Sequence, residues 1–390
     1  MTNHSTTPPI PGVNRILIVK LADLGDAVLA TPAINAVRKS YPAARVDLLT
    51  TPIGADVLAM CPAIDRLIAF PKSLFDRPAG LLKPANTSEL VSLCWGLRRG
   101  TYDALVLLHH LTTSFGAAKF RMLARASGAG VVAGLDNGRG GFLTHRAIDY
   151  GFGARSEWEY GIEIAAAIGG VGDAESNLII PEAALLRAKT LLKSHDVSTP
   201  FVVIHPGVGG FSSARRWPIE RFVDVSRNLT SRGRVAVVVV GTRQERASAL
   251  PLLKESGVID LMGETTVASL AGVLSMCELV IGADSGICHL GAALGIATIS
   301  IFGPSNHRAW RPIRTARTYT ATSESSNLVL RSGIPCSPCF YVGYELGRPE
   351  GCALRTCLRE VASEQVVNAA MRQLTRVNSR IVGDNNACSP

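Results

Sequence analysis

Charge and aromatic surface are both scarce in this chain. Only 18% of its 390 residues are charged and 6% aromatic, against 47% hydrophobic. So little charge argues against a disordered chain or a coiled coil and for an α/β protein with buried parallel strands. Aromatic–basic interleaving is absent, as is any zinc-finger or RNA-binding signature, so the formal charge of +9 does not point to nucleic acid. It suits an anionic membrane face or a phosphorylated substrate instead. Long apolar runs are missing too. The most apolar stretch, Ile287–Gly303, is interrupted by His289 and several glycines, and reads as a buried helix and strand rather than a membrane span. Met1–Pro11 is polar and proline-containing, with no apolar core behind a positive charge, so it is not a signal peptide. Nine cysteines, an odd number, fit a reducing compartment better than a disulfide framework. The expected setting is the cytoplasm, with peripheral contact to the inner membrane. No short-period repeat is visible.

What the chain does contain is alternation of strand-like and helix-like segments, over a length that calls for two domains. In the first half, strands are expected at Arg15–Lys20, Arg45–Thr50, Arg66–Phe70 and Tyr102–Leu108. A helix opened by Asp26 should run through Ala36, with Pro32 delaying or kinking its first turn. Phe75–Thr87 reads as an exposed loop, Gly128–Gly141 as a mobile connection, and Pro181–His195 as a helix followed by Ser198-Thr199-Pro200. A second strand series begins at Phe201 and continues at Arg234–Val240, Val258–Leu261, Leu279–Ile281 and Ala297–Phe302. Each half is therefore a doubly wound unit, with the boundary inside Gly170–Pro200. A last helical pattern, Val361–Leu374, precedes a polar tail.

Three stretches carry chemistry. Leu279–Pro312 reads as strand, turn, helix and strand, with Asp284-Ser285-Gly286 at the turn. A helix N-terminus there offers backbone N–H groups to a phosphate, Ser285 adds a hydroxyl, and Gly286 lets a ligand approach the backbone. Asp284 would repel a diphosphate, so capping or accepting from a ribose hydroxyl suits it better. Asp-Ser-Gly is also ordinary turn chemistry. His205-Pro206-Gly207-Val208-Gly209-Gly210 follows a strand and leads into Arg215-Arg216-Trp217-Pro218, placing forked cations beside flexible backbone. Lys20–Asp26 follows the first strand and has one glycine where a dinucleotide fingerprint needs three. By pattern alone, Asp26 is either a helix cap or a functional carboxylate.

Asp284-Ser285-Gly286-x-x-His289, Ala292-Ala293-Leu294-Gly295, Phe302-Gly303-Pro304 and Trp310-x-Pro312 together resemble the nucleotide-sugar site of the ADP-heptose heptosyltransferases, glycosyltransferase family 9. Ile16–Pro32, with its Leu-Gly-Asp and Thr-Pro, resembles the family's opening motif. The resemblance implies a GT-B arrangement of two facing Rossmann-like doubly wound domains. Residues 14–180 would take the acceptor and 198–358 the nucleotide sugar, while a helix over 359–378 packs toward the first domain. It implies an inverting transferase that moves heptose from ADP-heptose to an anionic glycolipid, an inner-core lipopolysaccharide acceptor. Asp26 would be the base, with Asp23 its local rival. Arg215, two before the tryptophan where the family frequently has lysine, would stabilise the diphosphate. Glu245 and Thr265 would meet the nucleoside, and Asp284, Ser285, Gly286 and His289 would complete the donor site. No cofactor is implied for catalysis. Near Leu107 the acidic residue frequent in the family is absent, which leaves the acceptor open. Transfer to a protein or another glycan is one alternative, and a non-catalytic nucleotide-sugar-binding protein is another.

Cys336, Cys339, Cys352 and Cys357 follow a C-x2-C, x12, x4 pattern that suits either a structural metal site or four reduced thiols. Autotransporter heptosyltransferases, similar in the broader family, carry a cysteine-bound iron with different spacing. The expectation is a structural zinc or iron with no part in catalysis. Cys61, Cys94, Cys277, Cys288 and Cys388 read as packing or incidental thiols.

Overall fold

Parallel strands need long crossovers, and the helices between them supply these on both faces of each sheet. The computed structural model describes residues 7–74, 83–173, 175–197, 200–210, 212–313 and 327–386. The chain divides into two compact units, Met1–Ile179 with Val342–Leu346, and Ile180–Tyr341 with Gly347–Pro390.

The first unit begins with β1 (Arg15–Lys20), α1 (Leu24–Leu29), α2 (Thr31–Ser40), β2 (Arg45–Thr50), α3 (Pro52–Leu58) and β3 (Arg66–Ala69). It continues with α4 (Pro84–Gly100), β4 (Ala104–Leu107), α5 (Ser114–Ser127), β5 (Val131–Asp136), β6 (His145–Ile148) and α6 (Glu157–Ala166). Its strands form one sheet in the order β3-β2-β1-β4-β5-β6, every pairing parallel.

The second unit opens with α7 (Glu182–Ser194), β7 (Phe201–His205), α8 (Ile219–Arg232), β8 (Ala236–Val239), α9 (Arg246–Leu253) and β9 (Val258–Asp260). Next come α10 (Val267–Leu274), β10 (Leu279–Ala283), α11 (Gly286–Ala293) and β11 (Thr298–Phe302). The last elements are β12 (Asn327–Arg331), α12 (Thr356–Arg359) and α13 (Ser363–Asn386). The sheet order is β12-β11-β10-β7-β8-β9, again all parallel.

Each sheet reverses its winding once, between β1 and β4 in the first unit and between β7 and β10 in the second. The crevice at the carboxyl ends of such strand pairs is where open α/β sheets take ligands. The strands flanking it are buried throughout: every residue of β7 and β10 is buried, which fits sequences that are apolar except for His205 at the end of β7.

Several expectations change. The opening helix is two helices. Ala30 ends α1, and Pro32 falls in the first turn of α2, where its missing N–H costs no hydrogen bond. Asp23, not Asp26, occupies the N-cap of α1; Asp26 stands in its first turn. The glycine-rich connection contains β5, with Ala133 and Leu135 buried, because tertiary packing outweighs local composition. The expected loop Phe75–Thr87 gives way to α4 at Pro84, and residues 75–82 of it lie outside the described residues. Residues 198–199, after α7, lie outside them as well. The C-terminal helix contributes to the second unit's core. Val366, Val367, Ala369, Ala370 and Leu374 of α13 enter the second unit's core beside Phe222 and Leu229 of α8. Trp217 secures the same end, its Nε1 donating to the Val361 carbonyl at 3.0 Å. The polar tail continues α13 to Asn386, and residues 387–390 are not described.

Candidate functional site

At the β7–β10 crossing, His205 ends one strand and Asp284-Ser285 follow the other. His205, 3% exposed, bridges two neighbouring loops. Its Nδ1 lies 3.1 Å from Ser285 Oγ, and its Nε2 3.7 Å from Glu245 Oε2. Glu245 also accepts from the Thr242 N–H at 3.0 Å, the Thr242 hydroxyl at 2.9 Å and the Gly209 N–H at 3.4 Å. Burial pushes the Glu245 carboxyl up, but the His205 hydrogen bond and charge, with the Thr242 donors, outweigh it and hold it far below the usual range. Glu245 is therefore a carboxylate that ties the loop after β8 to the loop after β7. Gly207 makes this approach possible, since a Cβ there would stand 2.1 Å from Glu245 Oε1.

Ser285 is the N-cap residue of α11, yet its side chain does not cap. Its hydroxyl is engaged by His205, which leaves the first-turn amides of α11 without a side-chain cap. That is an anion-binding arrangement. Asp284, expected to oppose a diphosphate, is neutralised. Arg215 Nη1 lies 3.3 Å from its Oδ2 and 3.3 Å from its carbonyl, while Nη2 donates to the Val208 carbonyl at 2.7 Å. Both side chains are largely buried, at 15% and 6% exposed. His289 approaches the other carboxylate oxygen at 3.9 Å. Arg215, Asp284, Ser285, Gly286, His289 and Glu245 are thus gathered at one sheet edge. Thr265 is half-buried in the loop after β9 and, among the described residues, makes no hydrogen bond to this cluster. His205 is the residue that sequence reasoning passed over as a site member. Its place at a strand end before Pro-Gly was the available signal.

In the first unit, Asp26 is half-buried in the first turn of α1. Its rival Asp23 is exposed and paired with Lys72 at 2.7 Å. The β1–β4 crossing carries Lys20, 6% exposed, and His109, whose Nε2 accepts the Leu21 N–H at 2.7 Å. Burial, with the charges of Lys20, Lys119 and Lys72, holds His109 well below its usual value, so it stays a neutral acceptor. His110 beside it is the opposite case. It bridges Asp149 at 3.0 Å and Glu157 at 3.1 Å. Burial pulls its pKa down, but the Glu157 charge and the Asp149 hydrogen bond raise it to about 9. This buried imidazolium stands three residues beyond Leu107, near which the family's frequent acidic residue is absent.

A model of glycosyltransferase family 9 (heptosyltransferase) matches residues 90–340, more than half of the sequence. The chain belongs to glycosyltransferase family 9. It is 26% identical over 309 residues to lipopolysaccharide heptosyltransferase 3 of Escherichia coli, covering 74% of this chain and 83% of that one. The glycosyl transferase family 9 structure from Veillonella parvula superposes with TM-score 0.71 at 21% identity, covering 93% and 97% of the two chains. The Escherichia coli heptosyltransferase WaaC, solved with ADP, gives 0.66 at 18% identity over 92% and 99%. The two-domain GT-B fold and a glycosyltransferase activity follow from family and architecture together.

The cysteines do not form the expected metal centre. Burial pushes the Cys357 thiol up to about 11, with Cys339, Cys352 and Cys336 adding to the shift, so the four lie in one region. Three of them are exposed and only Cys357 is buried. Among the described residues, no three His, Cys, Asp or Glu side chains converge as a group able to hold an ion. The clustering is real, but the thiols do not present a ligand set.

Proposed function

We propose that this glycosyltransferase moves a heptose from ADP-heptose to a hydroxyl of an anionic glycolipid, with inversion, at the cytoplasmic face of the inner membrane. The observation that carries the reading is the set at the second sheet's crossing: Arg215 neutralising Asp284, beside the uncapped amides of α11. A diphosphate is suited to that place by charge and by hydrogen-bond geometry. The relative's name, a lipopolysaccharide heptosyltransferase, and the ADP in the WaaC structure support donor and acceptor class.

In this mechanism the second unit holds the donor and the first the acceptor. The acceptor oxygen attacks the anomeric carbon, forming one C–O bond as the bond to the β-phosphate oxygen breaks. Asp26 takes the hydroxyl proton, a general-base step. ADP leaves with the added negative charge, which Arg215 and the α11 amides stabilise. Glu245, fixed by His205 and Thr242, stands where a nucleoside hydroxyl would find an acceptor. Thr265 lines the nucleoside side through its loop. No step runs through a metal, and a structural zinc or iron is not part of this reading because the cysteine thiols do not converge.

Titration calorimetry with ADP, with and without chelator, tests the donor half. Binding should be equal in both. Binding that vanishes with chelator and returns with magnesium would contradict the site.

A further inference from the structure

Helix α4 (Pro84–Gly100) turns one side inward and leaves the other exposed among the described residues. Leu90 and Leu97 are buried, and the helix packs against α5. On the opposite side Val91 and Trp95, one turn apart, are each 62% exposed. Pro84, Ser88, Val91, Trp95 and Arg98 follow one another at steps of four and three residues, so they share one face. Arg99 flanks that face, with its guanidinium 5.2 Å from the centre of the Trp95 ring. Arg98 and Arg99 are both exposed. The helix has one acidic residue, Glu89, two positions from Val91 and hence off this face. An exposed tryptophan and valine among arginines, with no carboxylate between them, form an amphipathic surface with a cationic rim.

The chemistry of that face selects its occupant. Apolar side chains beside snorkelling arginines match an anionic lipid surface, where rings enter the headgroup layer and guanidinium groups meet phosphates. A second copy packed face to face would set four arginines together with no carboxylate to offset them. We propose that the outer face of α4 docks the protein on an anionic lipid bilayer, through Trp95 and Val91 in the headgroup layer and Arg98 and Arg99 on lipid phosphates. The proposal rests on the reading above that the acceptor is an anionic glycolipid, which such docking would bring within reach of the first unit. The formal charge of +9 favours the same encounter.

Cosedimentation with vesicles tests it, using phosphatidylcholine alone and phosphatidylcholine with about 30% phosphatidylglycerol. The protein should sediment with the anionic vesicles only, less so as salt is raised, with a blue shift in tryptophan emission. Trp95→Ser should lose that shift, and Trp95→Ser and Arg98→Gln/Arg99→Gln should each lower partitioning by roughly tenfold or more. These side chains are exposed, so melting temperature and ADP affinity should match the parent. A parent that ignores anionic vesicles, or variants that bind as well as the parent, would overturn the proposal. So would concentration-dependent self-association without lipid that Trp95→Ser abolishes, which would assign the face to a second copy. Transfer to a delipidated acceptor is measured alongside. Its failure while vesicle binding stands would reject the functional reading and leave the docking surface intact.

Discussion

Arg215→Ala separates what this arginine does for the ligand from what it does for the fold. The guanidinium holds the Asp284 carboxylate and carbonyl at 3.3 Å and the Val208 carbonyl at 2.7 Å. A hydrogen bond to a charged group contributes about 1.5–3 kcal/mol, so ADP affinity should fall roughly 10- to 150-fold. Stability should fall as well, because Asp284, 6% exposed, keeps among the described residues the more distant His289 at 3.9 Å as its charged neighbour. Removing one partner of a buried pair costs about 3–5 kcal/mol. His289 and the partial exposure of Arg215 put this case at the lower end. Calorimetry with ADP and denaturant unfolding read the two effects separately. Adding Asp284→Asn to Arg215→Ala should recover much of the stability and little of the affinity. Full recovery of ADP binding in that double variant would refute the reasoning, since Arg215 would then act only by holding Asp284. If Arg216→Ala is the damaging substitution instead, the diphosphate contact belongs one residue along.

Asp26→Asn should lower transfer by about 10²–10⁴-fold with ADP affinity unchanged, measured as initial rates beside calorimetry; activity equal to the parent would make Asp23 the next candidate. Gly207→Ala should weaken ADP binding and lower the melting temperature, because its Cβ would stand 2.1 Å from Glu245 Oε1 and 2.8 Å from His205 Nε2 and break the ties that hold the two loops together. The His110 cluster sets a pH dependence of stability. Its folded pKa, about 9, lies above the ordinary 6.5, so its contribution is complete below about 6.5 and is lost as pH rises through 9. Denaturation midpoints should fall across that alkaline window, and His110→Gln should flatten the fall.

The fold was legible where local pattern and tertiary outcome agree. Leu279–Phe302 reads as strand, turn, helix and strand, and appears as β10, α11 and β11. The run is apolar because both faces of the sheet are covered, so the pattern needs no distant information. β5 was hidden because Gly128–Gly141 carries turn composition, while the burial of Ala133 and Leu135 depends on strands and helices elsewhere. The partnership of α13 with α8 inside the second unit was hidden for a similar reason. An amphipathic helix announces a buried face and does not name its partner. At the site, residue types were legible and their pairings were not. Arg215 and Asp284 are 69 residues apart, and His205 and Ser285 are 80 apart, so no local spacing joins them. Those pairings turn Asp284 from a repulsive group into one that fixes the arginine. The cysteine spacing was the reverse case, since a ligand-like pattern gathers thiols that do not converge.

Incubation with ADP-heptose and an inner-core glycolipid, followed by mass spectrometry and NMR of the product, tests the central claim most directly. The account predicts one heptose added per acceptor, one ADP released for each, and inverted configuration at the anomeric carbon. None of these should occur with Asp26→Asn. Retained configuration, or tight ADP binding with no transfer to any acceptor, would contradict it.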